Sequence, residues 1–134
     1  MSLYSFTQYI KYRLKAKTRH GVHSPFVYDL IEKVLNTPGS TPFQTKLASF
    51  LDTEKILQLD KVPRLWQEGI KNIQDKETAI IIPGIHSSPL HTRCWNEVAG
   101  LPCVKLSIDL FSLGLLFFKD EFKEKQHFVL KYRS

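Results

Sequence analysis

The polar segment that follows a short apolar run at residues 78–82 is the best-placed candidate for chemistry in this chain. It contains His86 and Ser88, and Asp109 lies farther on, inside the apolar run Ser107–Leu110. A histidine can move a proton near neutral pH, and a carboxylate in an apolar run is costly unless it has a partner. We therefore predict either a histidine partner for Asp109 or a strand-end position facing solvent. Ser88 precedes a proline, so helix capping explains it equally well.

A second polar group lies near the start of the chain. His20 and His23 precede Ser24, and Pro25 follows it. Serine caps free helix amides and proline fits the first helical position, so this pair predicts a helix start. We favour a structured turn in which Ser24 is the cap and one histidine is buried. The alternative is a polar cluster at the positive helix end that holds an anion or moves a proton.

Neither polar group completes a known catalytic or metal-binding pattern. A hydrolase triad could be drawn from His86, Asp109 and a serine. That serine would be Ser24 or Ser88, and neither lies in the G-x-S-x-G sequence of a nucleophile elbow. The two N-terminal histidines have no nearby cysteine or carboxylate to complete a zinc ligand set. We therefore expect no metal site, and His86 and Asp109 remain catalytic candidates without an assigned reaction.

The glycines are too far apart to form a phosphate-cradling loop. Such a loop needs closely spaced glycines so that backbone amides can approach the ligand, as in G-x-G-x-x-G or G-x-x-x-x-G-K. No two of the six glycines are placed in this way: Gly21, Gly39, Gly69, Gly84, Gly100 and Gly114. The sequence therefore predicts no nucleotide-like cofactor held in a familiar glycine-rich loop.

Length and charge limit the classes of protein further. The 134 residues suit one domain, and the net charge of +6 is concentrated at residues 11–19, with no acid before Asp29. This basic cluster could contact nucleic acid, another phosphate or an acidic partner. We favour a solvated helix face, because the cluster lacks the length and the fold of a nucleic-acid module.

The cysteines and the apolar runs favour a cytoplasmic protein. Cys94 and Cys103 form no CxxC pair, which fits a reducing compartment, and we expect both to be small buried groups. No secretory signal is visible at the N-terminus. The longest apolar run, residues 110–118, is too short to cross a bilayer as a helix.

The elements that must position these residues divide the single domain into a helical part, residues 1–53, and an α/β part, residues 54–134. Within the first part, apolar residues at helical spacing predict an N-terminal helix with one apolar face: Phe6, Tyr9, Ile10 and Leu14. We expect this face to pack onto the domain. The alternative is a helix that lies on a membrane surface.

The second part has the pattern of a strand–helix–strand unit. Residues 78–82 are apolar and β-branched, which predicts a strand buried on both faces. A helix follows to about Val98, with Leu90, Trp95 and Val98 turned inward. Residues 104–118 are strand-like with one break, and residues 126–132 form a last strand. This order predicts a βαβ unit with an antiparallel C-terminal edge.

Several segments resemble a family of bacterial class I S-adenosylmethionine-dependent methyltransferases. His20–Val27 is similar to the opening segment of that family. The similarity resumes at about Glu77, in segments that resemble the loop and helix after the family's fifth strand and its closing strands: Ile85–Ser88, Cys94–Val98, Ser107–Phe111, Gly114–Phe118 and Lys125–Phe128. The resemblance implies a reduced Rossmann-like methyltransferase sheet preceded by N-terminal helices.

The same resemblance implies what the chain lacks. Residues 36–76 stand where family members have their first strands, the glycine-rich cofactor loop and an acidic residue for the ribose. Pro83-Gly84 stands where the family has an acidic pair, and His86 and Ser88 carry over from its polar loop. We therefore expect a degenerate methyltransferase-like domain without independent methyl transfer and without bound S-adenosylmethionine. The alternative is a non-catalytic interaction module that binds an acidic partner or forms a homo-oligomer.

Overall fold

The computed structural model describes residues 2–18 and 21–132 of the chain. Within these residues, five helices and two short helical segments form: α1 (Leu3–Lys15), α2 (Pro25–Leu30) with a π-helical turn after it (Ile31–Leu35), α3 (Phe43–Leu51), a 3₁₀ turn (Pro63–Leu65), α4 (Trp66–Lys71) and α5 (Pro89–Ala99). None of the described helices combines the length and apolarity that a membrane span requires.

A five-stranded mixed sheet within the described residues holds the second part together. Its strands are β1 (Ile56–Gln58), β2 (Ala79–Pro83), β3 (Leu106–Asp109), β4 (Leu113–Phe117) and β5 (Gln126–Val129). The spatial order is β1-β2-β4-β3-β5, with β1 parallel to β2 and β5 parallel to β3. The predicted α/β class is confirmed.

The predicted antiparallel C-terminal edge is wrong. The antiparallel strand is β4, which lies inside the sheet and pairs with both β2 and β3. Because only residues 110–112 connect β3 to β4, the chain must reverse there and β4 must run antiparallel to β3. The longer connection before β5 lets the chain return, and β5 joins the open side of β3 in the parallel direction.

The two faces of the sheet bury separate sets of residues. Side chains alternate along a strand, so Ile80 and Ile82 of β2 face α4 and α5, whereas Ala79 and Ile81 face the helices of the first part. All four are buried, which confirms the predicted strand with two covered faces. The first of these cores also contains Val27, Leu30 and Val34 from α2 and its π-helical turn.

Helix α5 begins as predicted, and two of the three residues predicted to face inward, Trp95 and Val98, are buried, whereas Leu90 is only partly buried. The Ser88 hydroxyl accepts a hydrogen bond from the His91 amide at 3.2 Å, and Pro89 occupies the first turn. Trp95 is buried and lies over Gly114 of β4, where an added Cβ would come within 2.5 Å of the indole ring. The absence of a side chain at Gly114 is therefore what lets α5 approach the sheet this closely.

Helix α1 forms as predicted but packs through a different face. Phe6, Ile10 and Leu14 are exposed, at 53%, 45% and 83%. Tyr12 is the buried residue of α1, at 5% exposure, and Tyr9 is partly exposed. The expectation that the Phe6–Leu14 face packs onto the domain is therefore wrong. The reason is that α1 rests on backbone carbonyls and amides, which a tyrosine hydroxyl can bond and an aliphatic side chain cannot.

The cysteines differ from the expectation that both are buried. Cys94 is half-buried on α5, and Cys103 is exposed. Cys103 lies in the connection between α5 and β3, outside both packed faces of the sheet, so no element covers it.

Candidate functional site

The candidate site lies where β2 and β3 end. Both strands are antiparallel to β4, so they run in the same direction and their carboxyl ends lie on one edge of the sheet. After β2 the chain turns sharply at Gly84, whose φ of +67° favours glycine. An added Cβ at Gly84 would also lie 2.8 Å from the Ser87 hydroxyl. This turn brings His86 towards the end of β3, where Asp109 is the last residue.

His86 and Asp109 form a buried hydrogen-bonded pair. The distance from His86 Nε2 to Asp109 Oδ2 is 2.7 Å, and each side chain is 9% exposed. The second carboxylate oxygen, Oδ1, accepts a hydrogen bond from the Phe111 amide at 2.8 Å. Asp109 therefore has a histidine partner, which was the first of the two predicted alternatives, and it does not face solvent.

The other ring nitrogen of His86 is also bonded. His86 Nδ1 lies 3.0 Å from Thr92 Oγ1, and the Thr92 hydroxyl lies 3.4 Å from the Ile85 carbonyl oxygen. That hydroxyl has one hydrogen, which can go to the ring nitrogen or to the carbonyl oxygen. The ring also stacks on Phe111, with centroids 5.6 Å apart. Neither ring nitrogen is free to take a proton from a substrate in this arrangement.

Helix α1 covers this edge of the sheet. The Ser5 hydroxyl donates to the His86 carbonyl oxygen at 3.2 Å. The rings of Tyr9 and Tyr12 pack on Phe111 with centroids 5.0 and 5.4 Å away. The Tyr12 hydroxyl donates to the Leu130 carbonyl oxygen. It also accepts from the Tyr132 amide at 2.8 Å. Because these contacts follow β2, β3 and β5 in turn, α1 lies across the carboxyl ends of three strands.

A small polar cavity remains beneath α1. Its volume is about 160 Å³, and its lining includes the His86–Asp109 pair, Lys11 and Lys15 of α1, and Asn96 of α5. Sites that bury a drug-sized ligand usually measure about 300–1,000 Å³. This cavity therefore suits a few water molecules or a small ion better than a nucleoside-sized cofactor.

Two more titratable side chains line this cavity, and no motif in the sequence marks either of them as functional. His127 Nδ1 lies 2.6 Å from the hydroxyl of the buried Ser107, and desolvation lowers the pKa of His127 below its usual 6.5. Burial raises the pKa of Tyr12 to about 12, and the nearby Asp109 carboxylate adds to that increase. The alternating residue pattern of β5 predicted that neighbouring side chains face opposite sides of the sheet. It did not indicate that His127 is the partner of Ser107 on the neighbouring strand β3.

The serines are helix caps in the structure. Ser24 caps α2 by accepting from the Val27 amide at 3.3 Å, and His23 is exposed. Ser88 caps α5, and its hydroxyl lies 2.7 Å from His91 Nδ1. His20 lies outside the described residues and His23 is exposed, so the prediction that one of these two histidines is buried stays a prediction.

The hydrolase interpretation has no geometric support. A triad needs a serine hydroxyl bonded to a histidine whose other ring nitrogen is bonded to a carboxylate. In the described part of the chain, the ring nitrogens of His86 bond to Asp109 and Thr92 and to no serine. The hydroxyl of Ser88 bonds to His91, whose other nitrogen lies 3.2 Å from the Lys61 carbonyl oxygen and not beside a carboxylate. Among the same residues, no group of three or more His, Cys, Asp or Glu side chains could hold a metal ion.

The fold and this edge cluster define the chain as a mixed α/β protein with a buried histidine–aspartate pair at the carboxyl ends of its strands. In comparisons with known proteins, no family model, curated protein or solved structure matches the chain.

Proposed function

We propose that the chain is a methyltransferase-like domain that does not transfer methyl groups on its own. The order of the elements in the second part supports this proposal, because it is the order that the sequence resemblance implies. Strand β2 leads through the His86 loop into α5, and then come β3 and the antiparallel β4. The polar residue that ends β3 bonds back to the loop after β2.

The observation that carries the inactive assignment is the position of α1. In open α/β sheets, ligands bind beyond the carboxyl ends of the strands. Here α1 occupies that place, held by the Ser5 contact with His86 and by the Tyr12 contacts beyond β5. The cavity left beneath it has about half of the smallest volume typical for ligand sites. A cofactor of the size of S-adenosylmethionine would have to displace the helix.

A larger cavity, of about 380 Å³, lies at the opposite end of the strands. It is lined in part by Lys76, Lys105 and Phe118, near the start of β3 and the end of β4. This is the amino end of β2 and β3, at which ligands are not expected. It also has no glycine-rich turn, because none of its lining residues is a glycine. It therefore does not replace the missing cofactor loop.

Calorimetric titration of the purified chain with S-adenosylmethionine tests this proposal. We expect no binding heat and no increase in melting temperature at millimolar ligand, since a ligand that binds only the folded state must raise its stability. S-adenosylhomocysteine serves as the second ligand, because it shares the nucleoside and lacks the positive sulfonium. Micromolar binding of either compound would overturn the proposal.

A second candidate function is a non-catalytic interaction module. The observation that favours it is the group of large apolar side chains left exposed on α1. Such a group on a soluble chain marks an interaction surface. Light scattering across a range of concentrations would separate self-association from binding to another molecule, and a concentration-independent monomer mass would exclude the homo-oligomer.

A further inference from the structure

The outward side of α1 carries a continuous apolar row. Its members are Leu3, Phe6, Ile10 and Leu14, all exposed. On a helix that turns about 100° per residue, these four positions fall within an arc of roughly 80°. Leu14 and Leu3 are each more than four-fifths exposed, at 83% and 82%. This arc faces away from Tyr12, which points into the domain.

The domain holds this row in one orientation. Ser5 and Tyr12 bond to backbone groups beyond β2 and β5, on the side of α1 opposite to the row. Just after the helix, the Lys17 amide donates to the Val129 carbonyl oxygen at 2.8 Å, and the Lys131 amide donates to the Lys17 carbonyl oxygen at 3.0 Å. With both ends and the inner side of the helix attached, α1 cannot rotate to bury the apolar row against its own domain.

Basic side chains flank the row. Lys11, Arg13 and Lys15 are exposed on α1, and Lys17 is exposed directly after it. The chain has no acidic residue before Asp29. A strip of apolar side chains bordered by Lys and Arg is the pattern of a helix that lies in the interface of an anionic bilayer. In such a helix the apolar side enters the acyl boundary and the basic groups stay among the headgroups.

We propose that α1 docks the domain onto an anionic lipid surface, with Phe6, Ile10 and Leu14 inserted and Lys11 and Arg13 at the headgroups. This inference is independent of the proposed loss of methyl transfer. Two observations favour a lipid surface over other occupants. A lipid surface is flat and fits a helix whose inner side is already fixed to a domain, whereas a groove in a protein partner would have to enclose more of the helix. Anionic headgroups also complement the uncompensated charge.

A second copy of the chain is disfavoured by the same charges. A symmetric dimer through the apolar row would place the same patch on both subunits, so the basic side chains that flank the row in both copies would come together at one interface. No acidic side chain on α1 offsets that repulsion, because the helix contains none. Like charges facing each other across an interface are unfavourable.

Vesicle flotation of the full chain tests the proposal. We expect binding to vesicles of phosphatidylcholine mixed with phosphatidylglycerol, a loss of binding as salt increases, and little binding to phosphatidylcholine alone.

Phe6→Glu should lower the partition coefficient by at least about tenfold, because it removes an inserted aromatic side chain. Leu65→Glu is the matched control. Leu65 has nearly the same exposure as Phe6, 52% against 53%, but lies in the 3₁₀ turn before α4, so binding should not change.

Charge variants test the basic flank separately. Lys11→Gln with Arg13→Gln should lower binding to anionic vesicles by about tenfold or more, and leave any binding to neutral vesicles unchanged. Lys61→Gln with Lys123→Gln removes the same net charge from exposed positions outside α1 and should have little effect. Circular dichroism and melting temperature check that each variant folds, as expected for substitutions at exposed sites.

Several results would overturn the proposal. One is failure of the unchanged chain to float with anionic vesicles, and another is equal binding to neutral ones. Retention of binding in Phe6→Glu would place the contact elsewhere. A lipid-free dimer that Phe6→Glu dissociates would assign the row to a second copy. Binding to poly-glutamate but not to vesicles, with the same dependence on Phe6 and Arg13, would assign it to an acidic protein.

Discussion

Helices α1 and α5 show opposite outcomes of the same kind of sequence pattern. Each has apolar residues at helical spacing, and each forms a helix over nearly the predicted residues. In α5 the apolar residues face inward, and Trp95 and Val98 are buried. In α1 the apolar row faces outward, and Tyr12 makes the inward contact. The comparison shows that apolar spacing predicts a helix, whereas the surface that a helix meets decides which side of it is buried.

The two helices meet different surfaces of the sheet. Helix α5 crosses a face, where Ile82 and Leu116 are apolar and Gly114 leaves room for a large ring. Helix α1 crosses the carboxyl edge, where strands end in carbonyl oxygens and amides that lack partners within the sheet. A face favours apolar side chains, and an edge favours side chains that combine an apolar body with a polar tip. Tyr12 satisfies the second requirement.

The largest effect is expected from truncating the inward residue of α5. Trp95→Ala should lower the free energy of unfolding by about 4 kcal/mol, because it leaves a large cavity against Gly114. Ile10→Ala in the outward row of α1 should change it by less than about 0.5 kcal/mol. Urea denaturation followed by circular dichroism measures both. Similar losses for the two variants would show that α1 buries its apolar row in solution, and would remove the contrast between the helices.

The next largest effect concerns the His86–Asp109 pair, which lies beneath α1. Asp109→Ala removes the acceptor for His86 Nε2 and for the Phe111 amide, and should cost about 3 kcal/mol, because it leaves one buried and one partly buried donor without this partner. Asp120→Ala is the control. Asp120 forms an ion pair with Lys76 in which both side chains are well exposed, so little change is expected.

The same pair of variants separates a structural role from a catalytic one. If Asp109 acted only in catalysis, Asp109→Ala would fold as stably as the unchanged chain. That result would contradict the interpretation of the His86–Asp109 pair as a support for α1. Loss of stability together with a change in the near-ultraviolet signal of Tyr9 and Tyr12, which pack on Phe111, would support it.

The sequence predicted those parts of the fold that depend on local chemistry. Ser88 before a proline identified the start of α5, and the apolar run at residues 78–82 identified the buried strand, because capping and burial on two faces both leave patterns in neighbouring residues. The cost of a carboxylate in an apolar run was enough to make a histidine partner for Asp109 one of two alternatives, the other being a strand-end position facing solvent. These predictions needed no knowledge of the tertiary arrangement.

The remaining features depend on contacts between distant segments. Thr92 completes the His86 cluster only because α5 passes beside the loop after β2. Strand β4 lies inside the sheet because one side of β2 was free to pair with it. The sequence of β4 does not show which side of β2 is free. The inward role of Tyr12 depends on the carbonyl oxygen of Leu130, which lies 118 positions farther along the chain. Periodicity within one helix carries no information about such a partner.

A moderate effect is expected from removing that contact. Tyr12→Phe keeps the ring but leaves the Leu130 carbonyl and the Tyr132 amide without this partner, and should cost about 2 kcal/mol at neutral pH. Denaturation at pH 7 measures this loss. Tyr9→Phe is the control, because Tyr9 packs on Phe111 through its ring, which phenylalanine preserves. Equal stability of Tyr12→Phe and the unchanged chain would show that the polar edge does not hold α1.

The same variant should change the dependence of stability on alkaline pH. Burial raises the pKa of Tyr12 from 10 to about 12, so the folded state retains the phenolic proton over that interval while the unfolded state releases it. Stability is therefore fully present below pH 10 and falls as pH rises from 10 to 12. Tyr12→Phe should reduce this decline. It should not abolish it, because burial also raises the pKa of Tyr132.

The smallest effect concerns the histidine that lies between the two helices. The ring of His127 is 6.3 Å from that of Trp95 on α5, and Lys15 of α1 is among the charges that act on it. Desolvation is the main cause of its lowered pKa. Lys125 and Lys15 lower the pKa further, and Asp109 opposes them. A group whose folded pKa lies below its unfolded value of 6.5 contributes stability above pH 6.5 and loses it as the pH falls.

Two measurements follow from the environment of His127. NMR titration of its ring protons should give a pKa below 6.5, and Lys15→Gln should move that pKa upward by removing a nearby positive charge. Lys123→Gln, at an exposed position outside both helices, should leave it unchanged. His127→Gln should make stability less sensitive to acid below pH 6.5. His127 is exposed as a whole residue, so its lowered pKa reports the desolvation of the ring by its immediate neighbours, and a value at or above 6.5 would mean that this desolvation does not outweigh the Asp109 carboxylate.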